Sequence, residues 1–170
     1  MKRACLTVAI LMAAMGTSSQ AGAVRQPRQN EQTAVGHCQA ALPSFEGVLR
    51  KRPLGIANEG SIAAFVNCGM STEIVGSQGI FQVDVALTNR TANTVDISCT
   101  LISGLPNELQ PAVAVFPKTF VVAPGPDEEF WSSGSDGQGT PFKTSSIQCA
   151  LPPGTEINGT RIFFNTDVGQ

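Results

Sequence analysis

The side chains best suited to chemistry form one acidic run in the second half of the chain. Asp127, Glu128 and Glu129 are consecutive, and Asp136 follows seven residues after Glu129. Paired carboxylates can perform glycoside hydrolysis, or they can hold calcium together with loop carbonyls. Neighbouring residues of a strand point to opposite faces, so the three consecutive carboxylates cannot all converge on one ligand. Solvated charge at the start of a strand is the favoured interpretation, with Asp127, Glu129 and Asp136 kept as weak calcium candidates.

Two aromatic residues follow the acidic run directly. Phe130 and Trp131 precede a glycine-rich segment at residues 132–140. On a strand one of the two rings faces inward and the other outward, and an exposed ring can stack against a sugar. Burial of Trp131 in the core is the alternative interpretation. The predicted ligand-binding residues are Phe130, Trp131 and Asp136.

The chain has one imidazole, His37, which lies beside Cys38. A catalytic histidine needs a nucleophile and an orienting carboxylate around it, and proximity in sequence shows neither. No G-x-S-x-G nucleophile elbow occurs, and zinc or non-haem iron sites need several histidines or thiolates. The sequence therefore predicts a protein that is not an enzyme, with no catalytic residue, no cofactor and no metal beyond the weak calcium candidates.

The first 23 residues have the pattern of a cleaved export signal. A basic start at residues 1–3 precedes an apolar run at residues 4–15, and small residues end the segment at 21–23. The apolar run is shorter than the roughly 20 residues needed to span a membrane. We therefore expect a periplasmic or extracellular protein with no membrane span after cleavage. Residues 24–36 are polar without a hydrophobic period and are expected to form a flexible leader.

Composition narrows the range of partners. The 170 residues include 11 basic and 13 acidic side chains, for a formal net charge of −2. A nucleic-acid binder would show a basic stripe, so the sequence predicts no nucleic-acid partner. Residues 37–170 suffice for a single domain with its own core.

Removal of the signal also removes Cys5 and leaves four of the five cysteines. An even number of cysteines in an exported protein predicts two disulfides. The favoured pairs are Cys38 with Cys68 and Cys99 with Cys149, because the last two lie on the apolar faces of their predicted strands. Four cysteines allow three pairings, and the other two stay open.

Short apolar runs with a period of two dominate the rest of the chain. Polar and apolar residues alternate over 81–88, 94–102 and 147–151, as in half-buried antiparallel strands. Pro117 places its strand at an edge or breaks it. We predict an all-β fold of about seven strands, an antiparallel β-sandwich of the immunoglobulin-like or jelly-roll type. The further predicted strands lie at 62–68, 112–122, 128–132 and 156–164.

Three segments carry a resemblance to a known class of proteins. They are FVNCG at 65–69, VDISCTL at 95–101 and SSIQCALPPGTEI at 145–157. Together they resemble small exported disulfide-containing β-sandwich proteins of Gram-negative bacteria, in which cysteines lie mid-strand and one precedes a Leu-Pro turn. The resemblance implies a fold and a compartment and carries over no active-site residue.

These observations favour a non-enzymatic binding or accessory domain that recognises a glycan, an envelope component or another protein. The alternative is a structural or surface-assembly subunit, pilin-like or coat-like, joined to its neighbours by strand addition. The polar segment at 24–35 lacks the alternating apolar residues of a donor strand, which favours the first hypothesis and a monomer. A hydrolase is a third hypothesis, and the acidic run is the one feature of the sequence that supports it.

Overall fold

The computed structural model describes residues 24–71, 79–104 and 113–168, so the predicted export signal lies outside the described residues. Within these ranges the chain forms eleven strands, one helical turn and one 3₁₀ turn. The strands are β1 (Arg25–Thr33), β2 (Cys38–Ala40), β3 (Leu49–Arg52), β4 (Gly55–Asn58), β5 (Ala64–Gly69), β6 (Ile80–Asn89), β7 (Val95–Ser103), β8 (Ala114–Val122), β9 (Gly125–Ser132), β10 (Ser145–Leu151) and β11 (Thr155–Asp167). The helical turn α1 is Ala34–His37, and the 3₁₀ turn is Pro43–Phe45.

The strands form two antiparallel sheets, which confirms the predicted all-β sandwich. Sheet A has the order β3-β4-β11-β6-β9, and sheet B has the order β2-β5-β10-β7-β8. The long strand β11 carries two partners along one edge: β4 pairs with its first residues, and β1 pairs with Gly159–Asp167. Strand β6 covers the other edge of β11. This arrangement places β1, β11, β6 and β9 side by side.

The core lies between the sheets and is built by the alternation seen in the sequence. Inward residues of β6 and β10 are fully buried, whereas the residues between them face outward. A strand buried on one face in this way contributes about 1.5–3 kcal/mol for each large apolar side chain that leaves water. The inward residues of these two strands include Val83, Val85, Leu87, Ile147, Cys149 and Leu151.

Strand β1 corrects the expectation of a flexible leader at residues 24–36. All nine of its residues pair with β11. Its polar side chains also find partners, because Asn30 donates from Nδ2 to the Ser71 carbonyl at 3.0 Å and Gln32 donates to the Ser71 hydroxyl. Backbone pairing rather than apolar burial holds this strand, so a hydrophobic period could not reveal it.

The strand number also exceeds the predicted seven. Besides β1, the strands without a sequence prediction are β2, β3 and β4, which have three or four residues each. Strands this short carry too few residues for a recognisable alternation of polar and apolar side chains.

Both disulfides lie in sheet B. Cys38–Cys68 joins β2 to β5 and Cys99–Cys149 joins β7 to β10, each between directly paired residues. Disulfides of this kind are typical of proteins that fold in an oxidising compartment outside the cytoplasm. Within the described ranges, no helix has the length and apolar character needed to cross a membrane.

Candidate functional site

Trp131, a predicted ligand-binding residue, is a core residue. Its side chain is 0% exposed, and its ring packs edge-on against Phe120 with centroids 5.1 Å apart. Its Nε1 atom donates a hydrogen bond to the Phe116 carbonyl at 3.0 Å. This bond joins β9, the last strand of sheet A, to β8, the last strand of sheet B. A surface ligand cannot reach the ring. Trp131 is therefore buried in the core, as the alternative interpretation expected, and is not a ligand-binding residue. The neighbouring Phe130 points outward and is 47% exposed.

Asp136 anchors the loop that follows β9. Its carboxylate accepts hydrogen bonds from the Ser132 backbone N–H at 2.8 Å and from the Ser135 hydroxyl at 3.2 Å. It also forms an ion pair with Lys118 at 3.2 Å. Burial by itself raises the pKa of Asp136, but these hydrogen bonds and the ammonium group outweigh burial and hold the pKa below its usual range. The carboxylate therefore organises the loop.

The calcium candidates do not come together as one site. Glu129 lies on the inward-facing side of β9, the same side as Asp127 and Trp131. Burial and the Asp127 charge raise the pKa of Glu129, and the Lys118 charge opposes them. Among the described residues, no group of three potential metal ligands within reach of one ion includes Asp127, Glu129 or Asp136.

The group of three potential ligands that does occur among the described residues is His37, Cys38 and Cys68. The two sulfurs are bonded to each other, so neither is a thiolate. His37 Nδ1 donates to the Thr33 carbonyl at 2.6 Å, and Nε2 accepts from the Thr160 hydroxyl at 2.9 Å. Burial lowers the pKa of His37, although the Thr33 hydrogen bond opposes the shift. His37 thus fastens α1 to β1 and β11 as a neutral ring.

The outer face of sheet A carries a groove that the sequence did not predict. The groove has a volume of about 250 Å³, near the lower end of the roughly 300–1,000 Å³ usual for small-molecule sites. Strands β1, β6, β9 and β11 contribute its walls and floor. We call it the outer groove, and its main lining residues are Glu31, Thr33, Ala86, Glu128, Gly159 and Arg161.

Strand register assembles this face from distant parts of the chain. Directly paired residues of four neighbouring strands form two rows that point away from the core, because Val83, Val85 and Trp131 occupy the inward positions between them. The first row is Glu31, Arg161, Asp84 and Phe130, and the second row is Thr33, Gly159, Ala86 and Glu128.

Two small residues, Ala86 and Gly159, form the floor of the outer groove. A Cβ atom on Gly159 would lie 2.7 Å from the Gln32 carbonyl oxygen, closer than real Cβ contacts allow. Glycine at this position therefore lets β1 approach β11 closely while leaving the second row without bulk.

A charged network stands beside the floor. Asp84 is only 4% exposed, and its carboxylate lies 3.4 Å from Arg161 Nε without a well-aligned hydrogen bond. Gln82 donates to Asp84 at 2.7 Å, and the Arg161 guanidinium also pairs with Glu128. Burial raises the pKa of Asp84, while the Gln82 hydrogen bond and the Arg161 charge oppose the shift. The network places fixed, partly desolvated charges on an otherwise accessible face.

Aromatic rings border this network. The Arg161 guanidinium lies 5.3 Å from the centroid of the Phe163 ring, which itself packs 6.1 Å from Phe81. On the other side, Phe130 is the partner of Asp84 across the β6–β9 pair. Of the three predicted ligand-binding residues, Phe130 alone belongs to this face.

Comparisons with known proteins do not assign this chain to a family. No known family matches the chain, and no curated protein matches it. Among solved structures, the chain is similar to one described as "TmCBM61 in complex with beta-1,4-galactotriose", with 5% identity and a TM-score of 0.37. That match covers 82% of this chain and 88% of the other. A likeness this distant bears on neither ligand nor mechanism.

Proposed function

We propose that the protein is an exported, non-enzymatic carbohydrate-binding domain whose ligand extends from the outer groove to the neighbouring Phe130 ring. The observation that carries this proposal is the first row of sheet A, where the exposed ring of Phe130 stands beside the fixed charges of Asp84 and Arg161. A sugar offers apolar C–H faces and a ring of hydroxyls. An aromatic face together with charged hydrogen-bonding groups therefore complements it.

The groups of the groove are held in place without a ligand. Arg161 is fixed by Asp84, by Glu128 and by the face of Phe163. Side chains that are already ordered lose little conformational entropy on binding, so preorganisation favours affinity. The small floor at Ala86 and Gly159 supplies the space that a sugar ring needs.

The same contacts favour binding over hydrolysis. A glycosidase needs one carboxyl group to donate a proton and a second to attack or to activate water. On this face Asp84 and Glu128 are paired with the same guanidinium, so neither carboxyl group stands free for a catalytic role. This arrangement supports recognition of hydroxyl groups.

Export and a monomeric state complete the proposal. The two disulfides support folding outside the cytoplasm, in keeping with an export signal at residues 1–23 and with the resemblance to exported sandwich proteins. Strand β1 lies at an edge of sheet A and carries Arg25, Pro27 and Arg28. Charge and proline along an edge strand discourage pairing with another chain, which disfavours the alternative of assembly by strand addition.

The decisive experiment compares two phenylalanines of similar exposure on opposite faces. Phe130 is 47% exposed on sheet A, and Phe65 is 41% exposed on the outer face of sheet B. Against a panel of oligosaccharides, we expect Phe130→Ala to weaken binding about tenfold because a stacking surface is lost. Phe65→Ala should leave the affinity within about twofold, and thermal unfolding would verify that both variants fold. Equal effects of the two substitutions, or no oligosaccharide bound by the parent protein, would contradict the proposal.

A further inference from the structure

The charge balance of the outer groove points to a class of sugar, an inference that rests on the proposed function. Three carboxylates, those of Glu31, Asp84 and Glu128, belong to its two rows, whereas Arg161 is the one cation that the rows contain. From this imbalance we infer that the groove selects glycans with a free, protonated amino group over neutral, N-acetylated or acidic glycans.

The charge of Arg161 is fully engaged within the protein. Its guanidinium pairs with Asp84 and Glu128 and lies over the Phe163 ring. A ligand carboxylate would have to compete with two carboxylates already in place. The groove therefore repels acidic sugars even though an arginine lines it.

Glu31 is the carboxylate left for a ligand. It pairs across the strands with Arg161, yet its side chain makes no ion pair or hydrogen bond with the described residues, because Arg161 reaches toward β6 and β9 instead. The adjacent Gln32 pairs with Thr160, whose side chain is buried, so its amide faces away from the groove and bonds to Ser71. One wall of the groove thus presents an unengaged carboxylate, which suits the N–H donors of an ammonium group.

Nearby cations do not offset this wall. Arg28 lies on β1 at a position paired with Phe164, whose side chain is buried, and so faces away from the groove. Arg52 is paired with Glu59. Lys118 lies 5.6 Å from the centroid of the Phe130 ring, and its charge is paired with Asp136 at 3.2 Å. With Arg161 engaged, Glu31 is the group that a cationic ligand would meet.

A metal ion fits the same acceptors less well. Calcium takes six to eight oxygen ligands around one point. Among the described residues, no three metal-ligating side chains of the groove come within reach of one ion. An ammonium group needs fewer acceptors than a calcium ion, and the Glu31 carboxylate can serve as one of them.

The test uses the oxidised protein purified after export and four soluble β-1,4-linked probes of equal length. These are a glucosamine oligomer, its N-acetylated counterpart, a neutral glucose oligomer and an acidic uronate oligomer, compared by calorimetry at pH 6. We expect the free-amine oligomer to bind at least about tenfold more tightly than the other three. Raising the pH until the amine loses its proton should abolish the preference.

Matched variants locate the preference. Glu31→Gln should reduce the preference about fivefold, whereas Glu46→Gln, which removes an exposed carboxylate outside the groove, should leave it unchanged. Equal affinity for the amine and neutral probes would overturn this inference and leave the proposed function standing. Binding that a calcium chelator abolishes would overturn it in favour of a cation site. If no oligosaccharide binds, the proposed function itself fails.

Discussion

The two outer faces of the sandwich differ in the kind of polar side chain that they carry. The outer face of sheet A holds the charged network of Asp84, Arg161 and Glu128. The polar side chains of the outer face of sheet B are amides and hydroxyls, and Asp96 is the ionisable side chain that its described strands place there. One of its rows, taken across the strands, is Gln39, Asn67, Gln148 and Thr100.

The contrast extends to covalent structure. Sheet B contains both disulfides, and its polar residues pair with one another, as when Gln148 donates to Asn67 at 2.8 Å. In the described chain, sheet A has no disulfide and is shaped by glycine, alanine and ion pairs instead. One layer is thus a cross-linked support, while the other carries the shaped and charged outer groove.

The largest difference in stability between the faces should come from removing the positive charge of Arg161, because the buried Asp84 carboxylate pairs with it. Arg161→Met keeps much of the side-chain bulk but leaves the Asp84 carboxylate without its cation. Breaking a pair of this kind costs about 3–5 kcal/mol when it is fully buried, so we expect about 2–4 kcal/mol at this partly exposed arginine. Gln148→Met on sheet B should cost about 1 kcal/mol or less, since it removes a neutral hydrogen bond. Urea unfolding of both variants measures the difference, and similar losses would refute the contrast.

A second comparison adds one methyl group to each face. At Gly159 the new Cβ would lie 2.7 Å from the Gln32 carbonyl oxygen, whereas at Gly69 on β5 it meets nothing within 4 Å. We expect Gly159→Ala to destabilise the fold by about 1–2 kcal/mol through displacement of β1, and to weaken glycan binding. Gly69→Ala should change the free energy of unfolding by less than about 0.5 kcal/mol. If Gly159→Ala is equally silent, β1 does not need its close approach to β11.

The smallest expected effect is a pair of opposite pH slopes. Burial raises the pKa of Asp84 above 3.8, so the folded state binds its proton more tightly than the unfolded state does. The stability of the parent protein relative to Asp84→Asn should then fall as pH rises from near 3.8 through the folded-state pKa.

Asp136 should behave in the reverse manner. Its hydrogen bonds and Lys118 hold its pKa below 3.8 against the effect of burial. The stability of the parent relative to Asp136→Asn should be present above 3.8 and be lost as pH falls through the folded-state pKa. Unfolding curves recorded between about pH 2 and pH 7 would show two slopes of opposite sign, and slopes of the same sign would contradict the assigned causes.

How far the sequence predicts the fold depends on what holds each strand. Strands β6, β7 and β10 bury one face, so their alternation is legible in the sequence. Strand β1 is held by pairing along β11 and by polar contacts to Ser71, which leave no hydrophobic period. A local sequence pattern indicates which side chains are buried. It does not indicate which two strands pair through their backbones.

The site was harder to predict for a related reason. Glu31, Asp84, Phe130 and Arg161 are far apart in the chain and become neighbours only through the register of four strands. Register is set by turns and by packing across the whole sheet, so spacing in the sequence does not contain it. A usable signal was the acidic Asp84 between the two valines Val83 and Val85 of β6, where the outward face carries a charge that needs a partner.

The pairing of β1 with β11 also has a mechanical consequence. Val24 and Val168 meet at the same end of this pair, where the Val168 N–H donates to the Val24 carbonyl at 3.1 Å. Tension applied between these two points would load the backbone bonds one after another, as a zipper opens, because the strands are antiparallel. Strand β1 would peel away with Glu31 and Thr33 while the core between the sheets stayed closed. A stretched molecule would therefore lose one wall of the outer groove before the domain itself unfolded.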